Sequence, residues 1–179
     1  GSAGSLKKVM SIVKNLPLSN IAIFILIHQQ ENKKSLLEKI LQNQTTDYDV
    51  VEVKSNQKVI PKKIYIAPPG KHMVIENGYV YLIDTDKRNF SKPSISVLYD
   101  SLAKEYKGEL LTILLCGYGN DGSDSLKNLK NSGASVIIED SKECEATPML
   151  DNAVKTGNYD AILGLDDINK YIYNSIKNI

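Results

Sequence analysis

Cysteine is scarce in this 179-residue sequence: Cys116 and Cys144 are the only two. Two cysteines 28 positions apart form neither a disulfide framework nor a Cys-x-x-Cys metal knuckle, so spacing alone predicts two reduced thiols and no metal site. Charge of one sign is equally lacking. Lys and Arg number 22 against 21 Asp and Glu, a net +1, and no broad basic surface is available to gather nucleic acid or anionic lipid. No nucleic acid is expected as a partner, and the ten scattered tyrosines form no stacking platform for bases. Long hydrophobic runs are missing too. The longest, IAIFILI at 21–27, falls far short of the roughly 20 apolar residues of a bilayer span, and no signal-peptide pattern precedes it. The expectation is a cytoplasmic chain with no direct membrane insertion. Repeats, low-complexity tracts and linkers are absent, while 42% hydrophobic and 24% charged residues suit one globular domain.

What is present is an alternation of periods. Residues 6–16 place Leu6, Val9, Met10, Val13 and Leu16 on one helical stripe that Pro17 stops. IAIFILI reads as a strand buried on both faces, and 32–43 as a helix with Leu36, Leu37, Ile40 and Leu41 inward. Strands follow at 50–53 and 63–68, then two alternating runs joined by Asn77-Gly78, the signature of a two-residue hairpin at the sheet's edge. Pro93 is expected as the first residue of a helix reaching Tyr106. Beyond it come a strand at 110–116, a helix ended by Gly133, a strand at 135–140, a helix ended by Gly157, a short strand at 161–165 and a closing helix whose N-cap is Asp166-Asp167. The pattern predicts an α/β fold: a doubly wound, mostly parallel sheet with helices on both faces and an antiparallel β-hairpin excursion.

Sites in such sheets lie beyond the carboxyl ends of the strands. Three reactive side chains qualify: Ser2 before the first helix, His28 after IAIFILI and Asp121 in the loop after 110–116. An alcohol needs a general base to become nucleophilic, and an imidazole needs a carboxylate to fix its tautomer. The small residues Gly1, Ala3 and Gly4 leave room for a sharp turn whose amides could face an oxyanion. Two other readings compete. A leading Gly-Ser is also what a cloning scar leaves. The loop Gly117-Tyr118-Gly119-Asn120-Asp121-Gly122 fits G-x-G-x-x-G, with Glu139 and Asp140 ending the next strand, which would make it a dinucleotide-binding turn. Against that, Asp121 would set a carboxylate where pyrophosphate should lie. His72 reads as an organiser of the loop before the hairpin, and Lys7 and Lys8 as a solvated helix face.

The segments GSAGSL, ILIHQQ, IYIAPPGKHMVI, KPSISVLYDSLA, LLCGYGNDGSDSL and CEATPML together resemble, in order and spacing, the catalytic domain of the CheB family, the chemotaxis protein-glutamate methylesterases. The resemblance spans nearly the whole chain and implies that residues 1–179 form one methylesterase catalytic domain, with its first strand before Gly1 and without the receiver domain of many members. It implies a nucleophile at Ser2, a base at His28, an orienting acid at Asp121, and oxyanion donors at the Ala3 and Tyr118 amides. The separation of Ser2 from His28 agrees with the family, which weighs against the scar. The implied activity is hydrolysis of glutamate methyl esters on the cytoplasmic helices of methyl-accepting chemotaxis receptors, with deamidation of receptor glutamines as a second reaction and no metal or organic cofactor. A catalytically weak receptor-binding module is the alternative, since Ser5, Gln29-Gln30, Ser96 and Cys116 depart from the residues usual in the family.

Overall fold

The computed structural model describes residues 1–2, 4–31 and 35–179. Two three-stranded parallel sheets lie at its centre. The first pairs β1 (Ala22–Ile25) and β2 (Asp49–Glu52) on either side of β4 (Lys63–Ile66); the second orders β7 (Leu111–Leu114), β8 (Ser135–Glu139) and β9 (Ala161–Leu163). Main-chain atoms of Gly1 and Ser2 sit between them. Gly1 N donates to Leu26 O at 3.2 Å and its carbonyl accepts from His28 N at 3.1 Å, while Ser2 N donates to Cys116 O at 3.0 Å on the far side.

Side-chain alternation along the strands builds a core on each face. Ile64, Ile66, Leu115 and Ile137 meet α1 (Ser5–Lys14), α2 (Leu37–Gln42) and α6 (Leu165–Ile176) through Val9, Val13, Leu41 and Ile172. Tyr65, Ala67, Leu114, Val136 and Ile138 point the other way, toward α3 (Ile95–Glu105), α4 (Leu126–Asn131) and α5 (Pro148–Lys155). Each core draws on both sheets, which makes them one doubly wound layer with helices on both faces.

Several local expectations change. The hairpin of β5 (His72–Glu76) and β6 (Tyr79–Ile83) is not an edge of the parallel sheet but a separate antiparallel sheet, completed by β3 (Gln57–Lys58) and packed on α3 through Met73, Ile75 and Val80. Asn77 and Gly78 do turn it, with φ of 50° and 74°. Among the described residues β1 covers only part of IAIFILI and is half-buried, because within its sheet it pairs on one side only. Leu36 is 62% exposed and precedes α2 rather than facing inward. Pro93 lies outside α3: Ser94 is the N-cap, its hydroxyl accepting from Val97 N. Asp166 and Asp167 fall in the first turn of α6, after the Gly164 cap, where their charge still favours the helix N-terminus.

Candidate active site

The site begins with backbone that has no room for side chains. After Gly1 and Ser2 the chain turns through Gly4 at φ 81° into α1, and Ser5 closes the turn by donating both its amide (3.1 Å) and its hydroxyl (2.6 Å) to Ser2 O. A Cβ on Gly1 would stand 2.7 Å from Ser5 Oγ, and one on Gly117 would stand 2.5 Å from Ser2 Oγ and 3.0 Å from Met149 Cε. Glycine at 117 is therefore a steric requirement of the serine. The loop leaving β7 is clamped from below, with Gly117 N on Ala146 O and Met149 N on Gly117 O. The next amide, Tyr118 N, donates to Ser2 Oγ at 3.1 Å.

His28 and Asp121 meet at the same rim. His28 Nε2 and Asp121 Oδ2 lie 2.8 Å apart. No hydrogen bond joins His28 to Ser2 Oγ among the described residues, but the Gly1–His28 main-chain bond sets the two side chains on adjoining segments. With Nε2 committed to the carboxylate, Nδ1 is the nitrogen left for the serine. Ala3, the other expected oxyanion donor, lies outside the described residues.

Asp121 has more partners than its sequence suggests. It is 1% exposed and accepts from Ser94 Oγ (2.7 Å), Ile95 N (2.7 Å) and Ser96 N (3.1 Å) at the start of α3. Burial pushes its pKa up, but His28, Ser94 and the two amides outweigh that and hold the carboxyl down at about 2. These three residues are the part of the site that motif spacing missed. The signal was present as a Ser at a helix N-cap after Pro93, but nothing local ties that cap to a carboxylate 25 to 27 positions on. Ser96 accepts Gly122 N at 2.8 Å and donates to Asp124. His72 organises its surroundings as expected: Nδ1 accepts from Ser94 N at 3.0 Å, which leaves Nε2–H to donate to Asp86 O.

This wiring removes the dinucleotide reading. The amides of Gly117, Gly122 and Ser123 are spent on Ala146 O, Ser96 Oγ and Asn120 O, the Tyr118 amide faces Ser2 Oγ, and Asp121 points inward rather than leaving a pyrophosphate cradle. Glu139 also turns inward. Its carboxylate accepts Cys116 N at 2.9 Å and pairs with Lys8, so Lys8 is not on a solvated face: its side chain is 12% exposed. Cys116, Glu139 and Cys144 bring their donor atoms within 4.8 Å of one another, a cluster the cysteine spacing gave no sign of. Burial opposes the Lys8 charge, yet Glu139 and Cys144 raise its pKa above the usual lysine value; burial pushes the Cys144 thiol up.

The cleft beside His28, about 310 Å³, is lined by Gln29, Gln30, Phe90, Lys92 and neighbouring residues. Phe90 is 96% exposed at φ 62°, and Gln29 Nε2 is buried without a partner among the described residues. Among the described residues no helix is long and apolar enough to cross a membrane.

Comparison with known proteins places the fold. The chain aligns with the crystal structure of the Thermotoga maritima CheB methylesterase catalytic domain at a TM-score of 0.89 and 27% identity, covering 97% of this chain and 94% of that one. A Leptospira interrogans protein, provisionally named protein-glutamate methylesterase/protein-glutamine glutaminase, is 28% identical over 174 residues, 93% of this chain and 87% of its own length. A Shewanella denitrificans protein-glutamate methylesterase/protein-glutamine glutaminase is 33% identical over 172 residues; the chain spans 48% of that longer protein. The family model for CheB methylesterase matches residues 1–172. With the match running through the Ser2 turn, the His28 strand end and the Asp121 loop alike, the chain belongs to the CheB methylesterase family.

Proposed function

We propose that this chain is a serine esterase that removes methyl groups from glutamate γ-esters on the cytoplasmic helices of chemotaxis receptors, and deamidates receptor glutamines by the same acyl chemistry. The observation that carries the reading is the His28–Asp121 pair at 2.8 Å on the rim where Tyr118 N–H meets Ser2 Oγ.

Asp121 accepts from Nε2–H and leaves Nδ1 basic. Nδ1 takes the Ser2 proton as Oγ attacks the ester carbonyl, and the Tyr118 amide donates to the oxyanion. The imidazolium returns that proton to the departing methoxide, and methanol leaves. Water then attacks the acyl-enzyme while His28 takes its proton, freeing a glutamate carboxylate and restoring Ser2. A glutamine substrate loses ammonia instead of methanol and gives the same acyl-enzyme.

The test is methanol release from a methylated receptor fragment. Ser2→Ala and His28→Ala, with unchanged circular dichroism, should each lose about three or more orders of magnitude in kcat. A fluorophosphonate should label the wild type at Ser2. Turnover or labelling that survives both substitutions rules the assignment out.

A further inference from the structure

Beneath the nucleophile, the Lys8 ammonium is surrounded by donors from two distant segments. Nζ lies 3.1 Å from Cys144 Sγ, 3.4 Å from Cys116 Sγ and 3.2 Å from Glu143 O, and is paired with Glu139 Oε1. The hydrolytic reading gives this cluster no role. Two sulfurs and a carboxylate converging on one positive point are what a thiophilic divalent ion requires, and thiolate with carboxylate donors select zinc-like ions over magnesium or calcium. We propose that Cys116, Glu139 and Cys144 form a binding site for a zinc-class divalent cation, with the Lys8 ammonium as the built-in competitor that such an ion displaces.

The geometry is close to what binding needs. The three donor atoms lie within 4.8 Å of one another. Ligands at roughly 2.0 to 2.3 Å from a tetrahedral zinc ion stand about 3.4 to 3.8 Å apart, so closure by about an ångström completes three corners. A water molecule or the Glu143 carbonyl takes the fourth. The carboxylate is already oriented: Cys116 N fixes Glu139 Oε2, leaving Oε1 for the ion. Lys8 can leave because its side chain, although only 12% exposed, is a flexible four-carbon stem on α1 that can swing its ammonium outward.

The exchange balances. Two thiols give up their protons to solvent, the ion forms two sulfur bonds and one oxygen bond, and Lys8 moves outward still protonated. The ammonium, carboxylate and two neutral thiols sum to zero charge; so do the displaced ammonium, the divalent ion, the carboxylate and two thiolates. Binding also reaches the serine. Cys116 O accepts the Ser2 amide, and two residues on Tyr118 N meets Ser2 Oγ, so drawing Cys116 toward an ion shifts both anchors of the nucleophile.

The experiment titrates the whole chain with cobalt(II), then zinc(II), in a non-thiol reductant that excludes disulfide formation. One equivalent of cobalt should give thiolate-to-cobalt charge-transfer absorption and tetrahedral d–d bands, abolished by zinc. Cys144→Ser should remove the charge-transfer band from its partly exposed position, and Lys8→Met should tighten binding about tenfold or more by removing the competitor. If Lys8→Met weakens the fold, zinc should raise its melting temperature, and should not in the Lys8→Met, Cys144→Ser double variant. Absence of the band in wild type and Lys8→Met, its persistence in Cys144→Ser, or equal affinity with and without Lys8 overturns the proposal. Zinc inhibition of methanol release, relieved by Cys144→Ser, is a consequence that rests on the esterase reading; the absorption band does not, so the two fail separately.

Discussion

Asp121 shows how much one side chain carries. Its carboxylate is buried, yet four donors hold its pKa at about 2 against an ordinary 3.8. A depressed folded-state pKa means that the stabilisation is fully present above the unfolded value and is lost as pH falls from about 4 through about 2. The difference amounts to about 2 kcal/mol. Urea unfolding of wild type and Asp121→Asn should therefore differ most near pH 6 and converge toward pH 2; a gap that widens on acidification contradicts this wiring. Gly117 is the second residue on which the site turns. Its missing Cβ is the space that Ser2 Oγ occupies. Gly117→Ala should lower kcat/KM for ester hydrolysis on the order of 100-fold, as misplacement of a reacting group by about an ångström does, while circular dichroism stays native. Both effects are invisible in sequence. Asp121 and Gly117 look like members of a glycine-rich loop, and only their neighbours from other segments tell a carboxylate cradle from a phosphate cradle.

At the scale of the element, α3 and the segment before it join the site to its outer rim. The α3 N-terminus supplies three of the bonds to Asp121. The preceding segment is braced by Arg88 on Asp100 (2.5 Å) and Asp124 (2.9 Å) and by Asn89 on Ser96 (3.1 Å). That bracing holds Phe90 out in solvent beside the cleft, its ring 96% exposed and free for apolar contact with a substrate of the proposed kind. Phe90→Ser should raise KM for a receptor fragment several-fold and leave kcat unchanged. Hydrolysis of a small activated ester, which does not reach Phe90, should be unaffected; an equal loss on both substrates would mean a structural role instead. The existence of α3 was legible from Ile95, Leu98 and Leu102, but its start was not. Pro93 is a good first-turn residue in isolation, and Ser94 became the cap because its hydroxyl and the amides after it were needed by both the helix and Asp121.

At the scale of the molecule, two cores share one layer of strands. Ile138 on β8 is fully buried in the core toward α3, α4 and α5, whereas Ile162 on the edge strand β9 is 42% exposed. Ile138→Ala should cost about 2 to 5 kcal/mol in urea unfolding; Ile162→Ala should stay within about 0.5 kcal/mol of wild type, as exposed substitutions usually do. Comparable losses at the two positions would mean that the layer is not organised as described. The same layer explains how distant residues reach one rim. Strands running parallel end on the same side, so the Ser2 turn, the His28 end of β1 and the Asp121 loop after β7 open together.

By itself the sequence determined the order of strands and helices apart from the two-residue β3, since alternation of apolar residues is a local property of the chain. It also determined which residue types could carry acyl chemistry at strand ends. The separate hairpin sheet, the Ser94–Ser96 cradle for Asp121 and the Lys8, Cys116, Glu139, Cys144 cluster were decided only by the tertiary structure. The physical reason is range: periodicity and capping act over a few residues, whereas a hydrogen bond or an ion pair is indifferent to the length of chain between its partners.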